Sequence, residues 1–292
     1  MFSLLTGKAD KPFLVSPSPH LRASHSIKKI FWGSFGALLP ILIVSFVFFG
    51  WNALRIFSIS ITSALGFESL FQIILGKKVQ IKNGNTIWIS TLLAFLMPST
   101  VPSWMVVMGS FIAVVVGKEI FGGLGQNLFH PTIAGYATLL ALFPSEIIPH
   151  NFSYFPNHLF WTSGSEIIGG SSVLAIILSG FILMVKKWTP WQNALFYLAT
   201  LALGSLVLGG DLMEGIWSPG VLFCAYFFVT DWGSSPITKA GRMIFSVGAG
   251  VLTVVTYLST DSYRAMASSI LLMNAVTPLI DRFIRPRSRG IR

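Results

Sequence analysis

Few side chains in this sequence are placed to do chemistry, and their spacing limits what kind. Glu68 stands inside an otherwise apolar run at residues 54–75. A charge at mid-membrane costs about 2.5–3.5 kcal/mol on insertion scales, so such a residue faces protein or water, or carries a proton. Two readings stay open for it: part of an ion or proton path, or a helix–helix hydrogen bond. Asp231 lies in Thr230-Asp231-Trp232-Gly233-Ser234-Ser235-Pro236, directly after a short apolar stretch. An aspartate at a broken helix end either binds a cation or a ligand hydroxyl, or caps the next turn. Lys118-Glu119 precede Gly122-Gly123-Leu124-Gly125-Gln126-Asn127. Backbone N–H groups in a glycine-rich turn can hold a phosphate or ion. The spacing matches neither Gly-x-Gly-x-x-Gly nor a P-loop, and a tight interhelical turn is the plainer reading. The five histidines (His20, His25, His130, His150, His158) do not pair at helical ligand spacing, and Cys224 is the one cysteine. Neither an internal disulfide nor a metal site is expected from that inventory.

The elements that must position these residues are read from composition. Of 292 residues, 53% are hydrophobic and only 10% charged, against about 25% charged in a soluble domain. Mean hydropathy is +0.73. These values exclude a soluble globular enzyme, a disordered chain and a coiled coil, and make lipid the solvent. Ten apolar segments are predicted as spans: 31–49, 54–75, 86–97, 103–117, 131–144, 169–185, 191–209, 219–230, 243–258 and 265–281. Threading ten crossings places eighteen of the twenty Lys and Arg on one side and leaves only Arg55 and Arg264 on the other. By the positive-inside rule that side is the cytoplasm, and it holds both termini. The net charge of +10 therefore reports orientation and not nucleic-acid binding. Residues 1–30 are polar and lack the apolar core of a cleavable signal peptide.

The third and eighth segments are short or broken spans, read as half-helices. Twelve residues at 1.5 Å each reach about 18 Å, against a hydrocarbon core of about 30 Å. Paired short spans in matching places of two halves point to a central site in an inverted repeat. The fold class expected is an all-α polytopic membrane protein of about ten transmembrane helices in two inverted five-helix repeats. Its parts are a cytoplasmic tail (1–30), a first repeat (31–144), an outer loop (145–168), a second repeat (169–281) and a basic tail (282–292). The motif Asn-x-x-x-Pro occurs in each half, as Asn127 to Pro131 and Asn274 to Pro278.

Several strings then become familiar in order along the chain. They are Ser18-Pro19-His20 followed by FGALLP, MPSTVPSW, GKEIFGGLGQNLFHPTIAGYATLLALFP, SSVLAIILSGFILM, FFVTDWGSSPITKAGR and LLMNAVTPLID. Together they resemble the D subunit of Rnf-type electron-transport complexes and the related B subunit of the sodium-translocating NADH:quinone reductase. The resemblance implies a bacterial inner-membrane component of an ion-motive redox complex, not an autonomous enzyme, with the other subunits and the bilayer as partners. It also implies FMN held by a phosphoester to a Thr in Ser-Gly-Ala-Thr on the outer side. That motif is absent; the nearest stretch is Thr162-Ser163-Gly164-Ser165. Covalent FMN is therefore expected to be missing, with FMN or riboflavin held non-covalently if at all. The family's Asn-Pro-Ala reads His130-Pro131-Thr132, and its Thr-Asp-Pro reads Thr230-Asp231-Trp232. The cofactor region is assigned to Asn127, His130, Asp231 and Ser235, and the ion path to Glu68 and Asn274. A small-solute channel or carrier of the same fold, or a structural anchor for a flavin-bearing partner, are the alternatives.

Overall fold

The structure, a computed structural model, describes residues 26–148, 167–208 and 218–284. Most of the predicted outer loop, including Thr162 to Ser165, lies outside them, as do most of the N-terminal tail and the end of the C-terminal one.

The described residues are helical, with no strand among them; their one β pairing is an isolated bridge between Pro98 and Ile167. Helix α1 spans Ile27–Phe49 with a joint ahead of Pro40, and α2 spans Trp51–Ile74. Helix α3 is Asn85–Leu96. Helix α4 begins at Ser103–Phe111 and continues as a π-helix over Ile112–Glu119. Helices α5 (Pro131–Leu142), α6 (Val173–Val185) and α7 (Trp191–Leu208) follow. Helix α8, Pro219–Phe228, also turns π-helical over Cys224–Phe228. Helices α9 (Lys239–Tyr257) and α10 (Ser262–Phe283) close the chain. Helices α1, α2, α7 and α9 are long and apolar enough to cross a membrane; α3, α5, α6 and α8 are shorter apolar helices.

Local chemistry sets the boundaries. Side chains of Ser26, Ser172, Ser218, Thr238 and Asp261 accept from backbone N–H groups at the starts of α1, α6, α8, α9 and α10, satisfying donors that have no partner within the helix. The apolar residues divide by destination. Val47, Phe181, Leu206 and Val207 stand exposed on α1, α6 and α7, as suits helices bathed in lipid.

The short helices form the centre. Every residue of α3 is buried except Ile87, and every residue of α8 except Tyr226. They meet through Trp88 against Phe227 and Phe95 against Phe223, with ring centroids 6.2 and 5.7 Å apart. A short helix inside an apolar body needs partners for its terminal backbone groups. At one end of α3, Ile168 N donates to Met97 O at 3.0 Å, and Ser45 Oγ ties Ile168 O to α1 at 2.9 Å. Gly169 is required there, because a Cβ would lie 2.6 Å from Phe95 Cβ. At the other end, Asn83 Oδ1 accepts from Asn85 N at 3.0 Å. The exit of α8 is tied to α7, where Asn193 Nδ2 donates to Val229 O at 3.1 Å.

Helices α4 and α5 approach until their backbones touch. A Cβ on Gly135 would sit 2.7 Å from Gly109 O, and one on Gly117 would sit 2.9 Å from Pro131 Cα. Small residues at such crossings allow close packing where lipid gives no hydrophobic drive between helices.

Candidate functional site

Two polar clusters lie on either side of the α4–α5 contact. The first is built on Glu68, in the last third of α2. Glu68 and Lys118 are both buried, and Lys118 Nζ lies 2.5 Å from Glu68 Oε1. Lys118 Nζ also donates to Thr86 Oγ1 of α3 at 2.8 Å and lies 3.8 Å from Glu119 Oε1. Gln72, one turn beyond Glu68, donates from Nε2 to Glu119 Oε1 at 3.1 Å and to Glu68 Oε1 at 3.3 Å. Its own Oε1 accepts from Gln80 N at 2.8 Å. The π-helix explains why two successive charged residues both point inward. Ile120 N reaches Val115 O, and Gly123 N reaches Lys118 O. These bonds run to the fifth residue back, and such turns recur at functional sites. Below the cluster a cavity of about 220 Å³ has Glu68, Gln72, Lys118 and Glu119 on its floor and Lys77, Lys78 and the glycine turn at its mouth.

The second cluster joins three distant elements. His130 caps the start of α5, Asp231 follows α8, and Asn274 sits inside α10. Asp231 Oδ2 accepts from Gly233 N, Ser234 N and Ser234 Oγ at 3.0–3.1 Å. Ser235 Oγ donates to Asp231 O. The other carboxylate oxygen faces His130 Nε2 at 3.9 Å. With its amide oriented to suit its neighbours, Asn274 accepts from His130 N at 2.9 Å and donates to Ser234 O at 3.2 Å. Thr277 Oγ1 donates to the same carbonyl at 3.3 Å. The His130 ring packs edge-on against Phe228, centroids 5.0 Å apart. Burial holds the His130 imidazole below its ordinary value, with Asp231 pulling the other way.

The sequence profile of one family matches residues 14–290, nearly the whole chain. The chain belongs to the NQR2, RnfD, RnfE family. This family member is 34% identical to the D subunit of the Na(+)-translocating ferredoxin:NAD(+) oxidoreductase complex of Acetobacterium woodii, over 95% of each chain. It is 34% identical to the D subunit of the ion-translocating oxidoreductase complex of Methanosarcina acetivorans, over 95% of this chain and 97% of the relative. It is 30% identical to the D subunit of the proton-translocating ferredoxin:NAD(+) oxidoreductase complex of Clostridium ljungdahlii, over 96% and 97%.

In this NQR2, RnfD, RnfE family member the residues singled out by type and spacing regroup in space. His130 and Ser235 each lie against Asp231. Asn274, assigned with Glu68 to the ion path by sequence, bonds to His130 and Ser234. Asn127 carries a buried Oδ1 with no hydrogen-bond partner, and no bond joins it to Asp231. Asp231 caps its own turn with one oxygen, which is the second of the two roles open to it by sequence. Glu68 makes its hydrogen bonds to Lys118 and Gln72, and Lys118, Glu119, Gln72 and Thr86 complete a cluster that spacing alone does not assemble. By sequence Lys118 reads as a loop cation that sets orientation; in the structure it is an internal ion-pair partner. Glu119 is a second buried carboxylate, because α4 continues two residues past the predicted end at 117.

The string Ser-Gly-Ala-Thr does not occur in the sequence.

Proposed function

We propose that this chain is the D-type membrane component of an ion-translocating electron-transport complex of the Rnf/Nqr kind. The observation that carries the reading is the profile match over residues 14–290 together with relatives that align along nearly their whole length. The chain acts with other subunits, not alone, in the bacterial cytoplasmic membrane, with both termini on the cytoplasmic side. Ten helices form two inverted five-helix repeats, with α3 and α8 as the equivalent short members. That arrangement accounts for two buried helices meeting at the centre, each with a π-helical neighbour segment or its own π turn.

Electron transfer through this chain uses no covalent FMN; a flavin, where one is bound, is held non-covalently. The coupled cation passes the Glu68 cluster. The relatives' names divide between sodium and protons, and a carboxylate-rich site suits either. The alternative, a small-solute channel without redox partners, draws on the missing Ser-Gly-Ala-Thr motif alone.

The test is gentle extraction from membranes, identification of co-purifying proteins, and a denaturing gel viewed for flavin fluorescence. Redox subunits should co-purify, and the band of this chain should be dark. A chain that purifies alone and passes a neutral solute in vesicles would overturn the reading. A fluorescent band would overturn the non-covalent part only.

A further inference from the structure

We propose that the turn between α6 and α7 holds the phosphate of an anionic phospholipid, with the acyl chains of that lipid lying in the gap between the two helices. The inference needs only that the chain spans a bilayer; it does not depend on which complex the chain joins.

The first observation is charge without a counter-charge. Lys186, Lys187 and Lys239 are exposed, and none of them forms an ion pair among the described residues. Arg242 forms none either. Its guanidinium makes one long bond, to Ile237 O at 3.5 Å, and its buried Nε has no partner. The two carboxylates nearby are engaged elsewhere. Asp231 faces its own turn and His130, and Asp281 Oδ1 accepts from Ile237 N at 3.0 Å. Basic clusters at the ends of membrane helices attract anionic headgroups, and the planar fork of an arginine suits phosphate.

The second observation is that distant elements fix these cations around one turn. Trp232 Nε1 donates to Trp188 O, and Arg242 Cζ lies 5.9 Å over the Trp232 ring. This chain of contacts brings Arg242 of α9 to the residue that follows Lys187. The Trp188 ring is pinned on α1, where a Cβ on Gly33 would lie 2.3 Å from Trp188 Cη2. Lys187 itself has φ of 57°, the one positive φ outside glycine among the described residues. Lys187 N bonds to Met184 O at 2.9 Å, and Trp188 N to Leu183 O at 3.0 Å. Glycine is the usual residue at that place in such a helix end, because it has no Cβ to strain. Here the place carries an ammonium at the boundary that tryptophans favour.

The third observation names the occupant. Helices α6 and α7 leave the turn without packing along each other: α6 packs on α1 and α8, and α7 on α9 and α8. The π turn of α8 touches both. Its Tyr226, the one residue of α8 that is not buried, lies against Gly180 within the last two turns of α6, where a Cβ would come 2.4 Å from Tyr226 Cδ1. Phe181 and Val185 on α6, and Trp191 and Leu195 on α7, are exposed beside this floor. A cationic rim above an apolar gap fits a molecule with a phosphate at one end and hydrocarbon at the other. A free anion would leave the gap unused.

The experiment uses the full-length protein in neutral detergent, with thermal unfolding followed by tryptophan fluorescence. Phosphatidylglycerol, phosphatidylcholine of the same chains, and glycerol phosphate are titrated separately. Phosphatidylglycerol should raise the unfolding temperature saturably, phosphatidylcholine much less, and glycerol phosphate not at all. Lys186→Gln with Lys187→Gly removes two ammonium groups and puts glycine at the left-handed position, so this variant should fold. Its half-saturating phosphatidylglycerol concentration should rise by at least about tenfold. Lys77→Gln with Lys78→Gln removes two cations elsewhere and should respond as the wild type does. Equal responses to both lipids, or equal losses in the two double variants, would reduce the effect to diffuse charge and overturn the proposal. A response to glycerol phosphate equal to that with phosphatidylglycerol assigns the turn to a free anion and overturns it. So does an equal response to a soluble polyglutamate peptide, which would assign the surface to an acidic protein partner.

Discussion

Glu68 and Lys118 illustrate how strongly a buried ion pair binds its two members to each other. Removing one partner leaves the other charge buried, at a cost of about 3–5 kcal/mol. Lys118→Met should therefore lower the unfolding temperature sharply, because it leaves Glu68 and Glu119 without the ammonium they share. Adding Glu68→Leu to Lys118→Met removes one of the two stranded carboxylates and should recover part of that loss, with Glu119 still accepting from Gln72 Nε2; comparing the single and double variants by thermal unfolding checks it. Asp231 follows another rule. Its Oδ2 serves three donors of its own turn, so Asp231→Ala should cost about 1–2 kcal/mol and expose the segment after α8 to limited proteolysis. Asp231→Asn keeps an oxygen acceptor and should cost less. The sequence exposes Glu68 plainly, since a lone carboxylate in an apolar run is conspicuous. It hides the partner. Lys118 stands at the end of an apolar segment, where a loop cation is the natural reading, and the π-helical turn that carries it inward has no signature in residue periodicity. The meeting of His130, Asp231 and Asn274 is hidden for another reason, since 101 and 43 positions separate Asp231 from the other two along the chain.

Among the elements, glycine contacts govern how close α4 and α5 come. Gly135 faces a backbone carbonyl, which cannot rotate away as a side chain can. Gly135→Val should overpack the crossing and cost about 1–3 kcal/mol, and a stability measurement in detergent tests this. Gly36, beside which a Cβ would meet nothing within 4 Å, serves as the control; Gly36→Ala should be close to neutral or slightly stabilising. The places of the helices are readable from apolar runs and their Gly and Pro breaks, because lipid-exposed helices carry that signal along their whole length. The burial of α3 and α8 is readable only as shortness. What covers their ends depends on segments far along the chain, which length alone does not reveal.

Across the whole molecule, the exposed apolar faces and the terminal aromatics describe its setting. Trp51 and Trp104 are exposed near the end that carries Arg55, whereas Trp191 is exposed just after Lys186 and Lys187 and Trp232 in the segment that leads to Lys239. Tryptophan collects at both boundaries of a bilayer. The native Cys224 is buried in the core, where burial leaves it unreactive. Single cysteines placed at Lys78 and Arg264, in a Cys224→Ala background, should therefore label from opposite faces of the membrane. Labelling of both from one face would overturn the proposed ten-crossing topology.

The seal over the end of α3 has a consequence in time. Met97 O receives its hydrogen bond from Ile168 N, and Phe95 is covered by Gly169. Those residues are synthesised about seventy positions later. During translation the first half of the chain therefore waits with an uncapped helix end inside the bilayer. It reaches its final form only when the opening residues of the second half arrive to close it.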